Sequence, residues 1–274
     1  MESKVNFYHV SSYVKSNNLD HYKILEQAYE KKMFASQDNE LLKNFINHFR
    51  NINEIKSQLY QDVFASFIIE GNFDKTFLEF GATNGIDLSN TYILEKNMAW
   101  NGFLSEPSPQ WHKDLENNRP KNNIITKCIW SKTGESLEFF VSDVGVLSTI
   151  NEFKESDKLS MPGNTRERIK SGSTIKVNTI SLNDVVKNLF NSQSPSYISI
   201  DTEGSEYEIL RYFDFRKYRP KVFTIEHNHT DLQSKIDELL ISNDYVRVFS
   251  EITAFDAWYI SKEAYNLVKK KLKL

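Results

Sequence analysis

The nine residues Phe77-Leu78-Glu79-Phe80-Gly81-Ala82-Thr83-Asn84-Gly85 constrain this chain more than any other stretch. A short apolar strand ends on an acidic residue. A Gly-x-x-x-Gly turn follows, and residues 86–100 then repeat their apolar positions at helical spacing. Strand, glycine turn and helix form the opening unit of a nucleotide-binding α/β sheet. Glycine at 81 and 85 permits a sharp turn and lets a ligand approach the main chain with no Cβ in the way. An ordinary strand-to-helix turn reads the same way in isolation, so the weight falls on the motifs downstream.

Those motifs recur in order. Residues 102–106 read as a second strand ending on Glu106, about 20 positions beyond the turn, the spacing at which a carboxylate receives ribose hydroxyls. Pro107 and Pro109 stop that strand ahead of a short helix at 110–118. Residues 124–130 read as a third buried strand, and 136–142 as an added hairpin strand. From 151 to 173 the chain is polar with a mixed cluster of charges, which predicts a long loop near the substrate mouth. Ser181 is placed to cap a helix. Strands at 197–204 and 222–228 both end in polar clusters, Asp201-Thr202-Glu203-Gly204 and Glu226-His227-Asn228. An amphipathic helix (231–241), two terminal strands (245–249 and 257–260) and a basic closing helix complete the chain.

The alternation predicts an α/β fold: a doubly wound, mostly parallel seven-stranded Rossmann-like sheet with helices on both faces. Residues 1–56 are polar and helical in pattern, with apolar positions from Leu19 to Met33 and again at Leu41-Leu42, Phe45-Ile46 and Phe49. They predict a helical extension ahead of a domain at 57–274, covering part of the sheet or joining two copies into a homo-oligomer. At 39% hydrophobic content the chain can bury a full core. A formal charge of -3 gives no broad attraction to nucleic acid. Cys128 is the single cysteine, which excludes an internal disulfide and a cysteine-based zinc site. No apolar run reaches the length of a membrane span and the opening residues carry no signal-like core, so the expectation is a cytoplasmic protein.

With Glu79–Gly85, Ser105-Glu106-Pro107, Asp201–Gly204 and Glu226–Asn228 in order, the chain resembles the FkbM family of S-adenosylmethionine-dependent methyltransferases over about residues 57–260. Ser57–Asp62, Glu95-Lys96, Trp100-Asn101-Gly102 and Ile180–Val185 carry the same likeness. The resemblance implies the class I methyltransferase sheet with an antiparallel last strand, and transfer of a methyl group to a hydroxyl, with a sugar in a glycan or surface polysaccharide as the expected acceptor. It implies that Glu79 and the turn Gly81, Ala82, Thr83, Asn84 and Gly85 hold the amino-acid end of the cofactor. Glu106, with Pro107, would bind the ribose, and Cys128 and Ile129 would border the adenine. Asp201 and Glu203 would line the reaction centre.

The chemistry itself needs a base near the acceptor oxygen. His227, nearest the strand end, is the expected one because imidazole titrates in the useful range, with Asp201 orienting it. Asp201, Glu226 and Asn228 could instead hold Mg²⁺ or Mn²⁺ through oxygen ligands. Two other functions share the sheet. A nicotinamide-dependent oxidoreductase would need Gly-x-Gly-x-x-Gly, and position 83 is Thr. A non-catalytic nucleotide-binding protein should have lost one of Glu79, Gly81, Glu106 or Asp201, and all four stand.

Overall fold

The computed structural model describes residues 39–49, 52, 54–250 and 252–274. The apolar positions from Leu19 to Met33, and any homo-oligomer contact they make, lie outside the described residues.

Strand β1 (Thr76–Phe80) is an inner strand of the main sheet. It pairs in parallel with β2 (Asn101–Ser105) on one side and with β8 (Tyr197–Ile200) on the other. β3 (Ile124–Ile125) follows β2, and β9 (Val222–Glu226) follows β8, all parallel. β11 (Asp256–Ser261) then enters antiparallel between β9 and β10 (Tyr245–Val248). The order is thus β3-β2-β1-β8-β9-β11-β10, the expected seven strands with an antiparallel last one. The strand order reverses between β1 and β8, and such a reversal opens a crevice at the carboxyl ends.

These strands are mostly apolar because both faces are covered. Neighbouring residues alternate between two cores. Phe77, Tyr197, Val222 and Trp258 face one side, where α1 (Asn39–Phe49) and α2 (Gln61–Ile69) pack. Leu78, Ile198, Phe223 and Tyr259 face the other, against α6 (Leu182–Leu189) and α8 (Leu232–Ser242). Helix α1 belongs to the expected extension, yet its apolar stripe is spent inside the chain. Phe45 stacks on Phe249 at 5.5 Å between ring centroids and meets Trp258 edge-on at 6.0 Å.

Three expectations change. The helix after the glycine turn is only α3 (Tyr92–Met98). Asn84 Oδ1 accepts from the N–H groups of Ile86 and Asp87, both at 2.9 Å, and Leu88 takes a left-handed φ of 61°, so the chain turns for several more residues first. Residues 124–130 are two strands. After β3 the chain leaves the main sheet, and β4 (Cys128–Trp130) joins a second, four-stranded sheet of order β4-β7-β5-β6. Its other members are β5 (Ser136–Ser142), β6 (Thr149–Ile150) and β7 (Gly172–Ser181). Finally, the segment 151–173 is no open loop. It contains α5 (Pro162–Lys170), begun by a proline at its first turn. Ser181 caps α6 as expected, accepting from Asp184 N–H at 3.1 Å.

Gly81 serves the sheet before it serves any ligand. A Cβ there would stand 2.1 Å from the Asp201 carbonyl oxygen, and its φ is +74°. Gly81→Ala should therefore cost about 2–5 kcal/mol from the left-handed backbone and the overlap. That corresponds to a fall of roughly 5–15 °C in Tm. Thermal unfolding followed by circular dichroism measures it, and an unchanged Tm would mean that β1 and β8 can part freely.

Candidate functional site

The carboxyl ends of β1, β2, β8 and β9 meet around a cavity of about 370 Å³. The second sheet and the segment between β6 and β7 line it too, through Phe139, Leu147, Ile150, Met161 and Asn164. Six carboxyl groups reach this one space, those of Glu79, Asp87, Glu106, Asp201, Glu203 and Glu226.

Glu106 follows β2 and is 4% exposed. One oxygen accepts from Thr83 N–H at 2.9 Å and the other from Ser108 N–H at 2.8 Å. Two main-chain donors thus fix the carboxyl plane, leaving each oxygen a further lone pair. Burial pushes this carboxyl up to about 7, against those two bonds. Glu79 is spoken for by the chain. It accepts from Asn90 N–H at 2.7 Å, from Ser89 Oγ at 3.0 Å and from Thr91 Oγ1. It still borders the cavity, and those bonds tie the turning segment 89–91 to β1.

Glu203, just past β8, meets an ion pair that sequence patterning did not disclose. Arg168 of α5 is wholly buried, and its five N–H donors are all used. Nε donates to Leu147 O, and Nη1 to Lys154 O and Asp157 Oδ1. Nη2 donates to Asp157 Oδ2 and, at 2.5 Å, to Glu203 Oε2. The same Glu203 oxygen accepts from Asn228 Nδ2 at 3.3 Å. The only signal available in sequence was the mixed charge of 151–173.

Asp201, Glu203 and Glu226 each place a carboxylate oxygen within 4.8 Å of the others. Burial, then Asp201 and Glu203, holds the Glu226 carboxyl well above its usual range; burial, then Glu203 and Asp256, does the same for Asp201. Glu226 is 7% exposed, and its Oε2 has no partner within the chain. Around this cluster Glu203, Asn228 and His229 take φ of 58°, 47° and 54°, and Thr83 takes 46° at the end of β1. Non-glycine residues in that region carry strain and collect at ligand-binding sites.

The structure redistributes several expected roles. Gly81, Thr83, Pro107, Cys128, Ile129 and Asn228 all line the cavity, with the carboxyls above. Ala82, Asn84 and Gly85 do not. Ala82 N–H is bonded to Ser105 O, Asn84 shapes the turn, and Gly85 lets Arg119 approach, whose Nη1 donates to Gly85 O at 3.0 Å. His227 also stands outside the cavity wall. Its Nε2 donates to Asp256 O at 3.1 Å and its Nδ1 accepts from His229 N–H at 3.0 Å. Burial, then the charge of Arg247, lowers its pKa to about 4. Both nitrogens being occupied by main chain, His227 braces the turn after β9 in this structure. His229 reaches the cavity in its place. Gln58, Asn90 and the cap residues Ser148 and Asn164 are lining groups that sequence reading missed.

The family model "Methyltransferase FkbM domain" matches residues 79–249, more than half of the chain. The chain belongs to the FkbM methyltransferase family. It is a methyltransferase dependent on S-adenosylmethionine, which removes the oxidoreductase and non-catalytic alternatives. No curated protein matches it. Among solved structures it is similar to a precorrin-6y C5,15-methyltransferase from Geobacter metallireducens GS-15, at 13% identity over 76% of this chain and 89% of that one, with a TM-score of 0.36. It is also similar to an O-methyltransferase from Bacillus cereus in complex with SAH, at 12% identity, 92% and 95% coverage and a TM-score of 0.39. The plantazolicin methyltransferase BpumL in complex with SAH aligns at 10% identity over 97% and 78%, with a TM-score of 0.33. Among the described residues no helix is long and apolar enough to cross a membrane.

The buried carboxyls set a pH dependence. Burial raises Asp62, Glu106 and Asp256 to about 7. Between their ordinary values near 4 and about 7 the folded chain holds more protons than the unfolded one, so raising the pH removes stability. His227, lowered to about 4, has the opposite sign, gaining stability as pH rises towards 6.5. Three carboxyls outweigh one imidazole. The ligand-free protein should melt at a higher temperature at pH 5.5 than at pH 8, by differential scanning fluorimetry. A higher melting temperature at pH 8 would mean these carboxyls sit in a wetter or more cationic setting.

Proposed function

We propose that this protein transfers a methyl group from S-adenosylmethionine to a hydroxyl, with a sugar as the acceptor class. The observation that carries the reading is the free Oε2 of Glu226 in the cavity wall, beside Asp201. An alkyl hydroxyl is a poor nucleophile near neutral pH, so a base must take its proton as the new bond forms. A carboxylate whose pKa burial raises is a stronger base than one at its ordinary value.

Bound S-adenosylmethionine supplies a methyl group on a positively charged sulfur. Glu106 receives the ribose hydroxyls with the lone pairs its main-chain donors leave free. Pro107, Cys128 and Ile129 flank the base with apolar surface; burial lifts the Cys128 thiol to about 12, so it stays protonated and inert. Asp201 meets the cofactor's ammonium, and the Gly81–Thr83 main chain borders the amino-acid end. Glu226 accepts the acceptor's proton on Oε2. Glu203, held by Arg168 and Asn228, keeps the wall in place and is not free to act as the base. Amide side chains of Gln58, Asn90 and Asn228 suit a ligand rich in hydroxyls.

A second reading has its own support. Asp201, Glu203 and Glu226 present oxygen donors close enough for one ion, and Asn228 stands beside them, a donor set that fits Mg²⁺ or Mn²⁺. There the ion would lower the acceptor's pKa and the carboxylates would act as its ligands.

These assignments are open to measurement. Charge-assisted bonds to the ribose are worth ~1.5–3 kcal/mol, so Glu106→Ala should weaken binding of S-adenosylhomocysteine by about 10- to 150-fold in calorimetry. Unchanged affinity would place the ribose elsewhere. Glu226→Gln keeps the shape but cannot take a proton, and should lower turnover by roughly 10²–10⁴ with cofactor affinity preserved. Turnover at the wild-type level would exclude Glu226 as the base. Loss of activity with chelator and its return with Mg²⁺ or Mn²⁺, together with direct Mn²⁺ binding that Glu226→Gln weakens, would favour the metal reading.

A further inference from the structure

Behind the cavity wall stands a second buried cation, Arg119. It follows α4 (Pro109–Asn118), is 3% exposed and does not line the cavity. Its guanidinium lies over the Phe77 ring of β1 at 5.7 Å and near the Tyr92 ring of α3 at 6.0 Å. Nε donates to Glu95 Oε2 at 2.7 Å, and Nη1 donates to Gly85 O at 3.0 Å. Gly85 makes that approach possible, since a Cβ there would stand 2.6 Å from Arg119 Cγ. These contacts fix the plane of the guanidinium and so the direction of its other donors.

Those donors reach two hydroxyls. Nη1 also donates to Ser89 Oγ at 3.3 Å, and Nη2 donates to Thr91 Oγ1 at 3.0 Å. Each hydroxyl gives its one hydrogen to the same atom, Glu79 Oε2. A hydroxyl that accepts from a cation donates more strongly, so both relays pass the charge of Arg119 to one edge of the carboxylate. The other oxygen, Oε1, accepts from Asn90 N–H at 2.7 Å and keeps a further lone pair. Glu79 and Asn90 both line the cavity, and Asn90 Oδ1 has no partner within the chain. Burial drives the Glu79 carboxyl up, and Arg119 is the largest influence opposing it. A stabilising ion pair would need only Glu95, whose carboxylate already meets the guanidinium. The path through Ser89 and Thr91 to a carboxylate on the cavity wall is additional to that.

We infer that Arg119 is a positioning residue for the cofactor: through Ser89 and Thr91 it orients Glu79 so that Oε1 meets the ammonium of S-adenosylmethionine beside Asp201. The inference rests on the methyl-transfer reading of this site and adds to it a residue that touches no ligand. Arg119 acts on the amino-acid end of the cofactor alone. The adenosine end is left to Glu106, whose two main-chain donors come from Thr83 and Ser108 and owe nothing to this network.

Two ligands separate this role from a general structural one. S-adenosylhomocysteine carries the amino-acid end, whereas 5′-methylthioadenosine keeps the adenosine and the sulfur and lacks it. Calorimetry on the full chain compares both ligands for the wild type, Arg119→Lys and Thr91→Val. Thr91→Val removes one relay hydroxyl with the cation left in place, and it carries the comparison by itself if Arg119→Lys does not fold. Each variant should bind S-adenosylhomocysteine roughly 10-fold more weakly, the loss of one charge-assisted hydrogen bond, with 5′-methylthioadenosine affinity unchanged. In a Glu79→Gln background, Arg119→Lys should cause no further loss, because its route to the ligand is gone. Parallel weakening of both ligands, no change in either, or a full additional loss in the Glu79→Gln background would overturn the inference while leaving methyl transfer standing. Wild-type protein that binds neither ligand would overturn the methyl-transfer reading and the inference with it.

Discussion

The guanidinium of Arg168 is the interaction on which the closed form of the cavity depends. It lies on α5, in a segment that main-chain pairing attaches to the second sheet only, and it reaches Glu203 at the end of β8 in the first. Its remaining donors gather Leu147, Lys154 and Asp157 around the same point. Burying a charge without a partner is costly, so neither Arg168 nor the Asp157–Glu203 pair can be where it is without the other. The bidentate contact with Asp157 fixes the guanidinium plane, and the plane fixes the direction of Nη2. Cap and sheet are thereby held by geometry as well as by charge.

That one cation also defines what the site lacks. It neutralises part of the Asp157–Glu203 charge and leaves Asp201 and Glu226 facing each other with no basic residue between them. Burial, and then the neighbouring carboxyls, push both of them well above the usual carboxylate range. A cavity in that state is a poor resting place for an anion. It suits a cofactor that carries positive charge on sulfur and nitrogen, and the site is only fully balanced once such a ligand arrives.

How much of this was legible in the sequence divides along a physical line. The seven-stranded sheet was, because strands buried on both faces are mostly apolar, as 77–80 apart from Glu79 and 222–225 apart from Thr224 are, and because their order follows chain alternation. Glu106 was legible from its distance to the glycine turn. The turn itself was half legible: Gly81 answers the Asp201 carbonyl and Gly85 answers Arg119 and Leu115, contacts made by residues far away in sequence. The division of 124–130 between two sheets was hidden, since Ile125 and Ile129 look alike as buried strand residues and only pairing tells them apart. Helix α5 was hidden by its charge, for a polar stretch reads as solvated until its arginine is known to be buried. The direction of His227 was hidden for a related reason. Proximity to a strand end says nothing of direction, and the left-handed turn at Asn228 and His229 points the imidazole at main chain instead of the cavity.

The walls of the cavity come from different parts of the chain. The carboxyl ends of β1, β2, β8 and β9 supply one, and the run between β3 and β8 supplies the second sheet and α5 as a single insertion. On the proposed reading the sheet ends hold the cofactor and the base, while the insertion closes over the acceptor. Substitutions at Val146, Met161 or Asn164 could then change the shape offered to the acceptor without disturbing Glu106 or the Gly81 turn. Glu203 is where the walls are not independent, because its carboxylate stands with Asp201 and Glu226 and its counter-ion on the insertion. A change in the insertion that moved Arg168 would release a buried carboxylate beside Glu226, so cap and chemistry have to vary together at that point and are free to vary apart elsewhere.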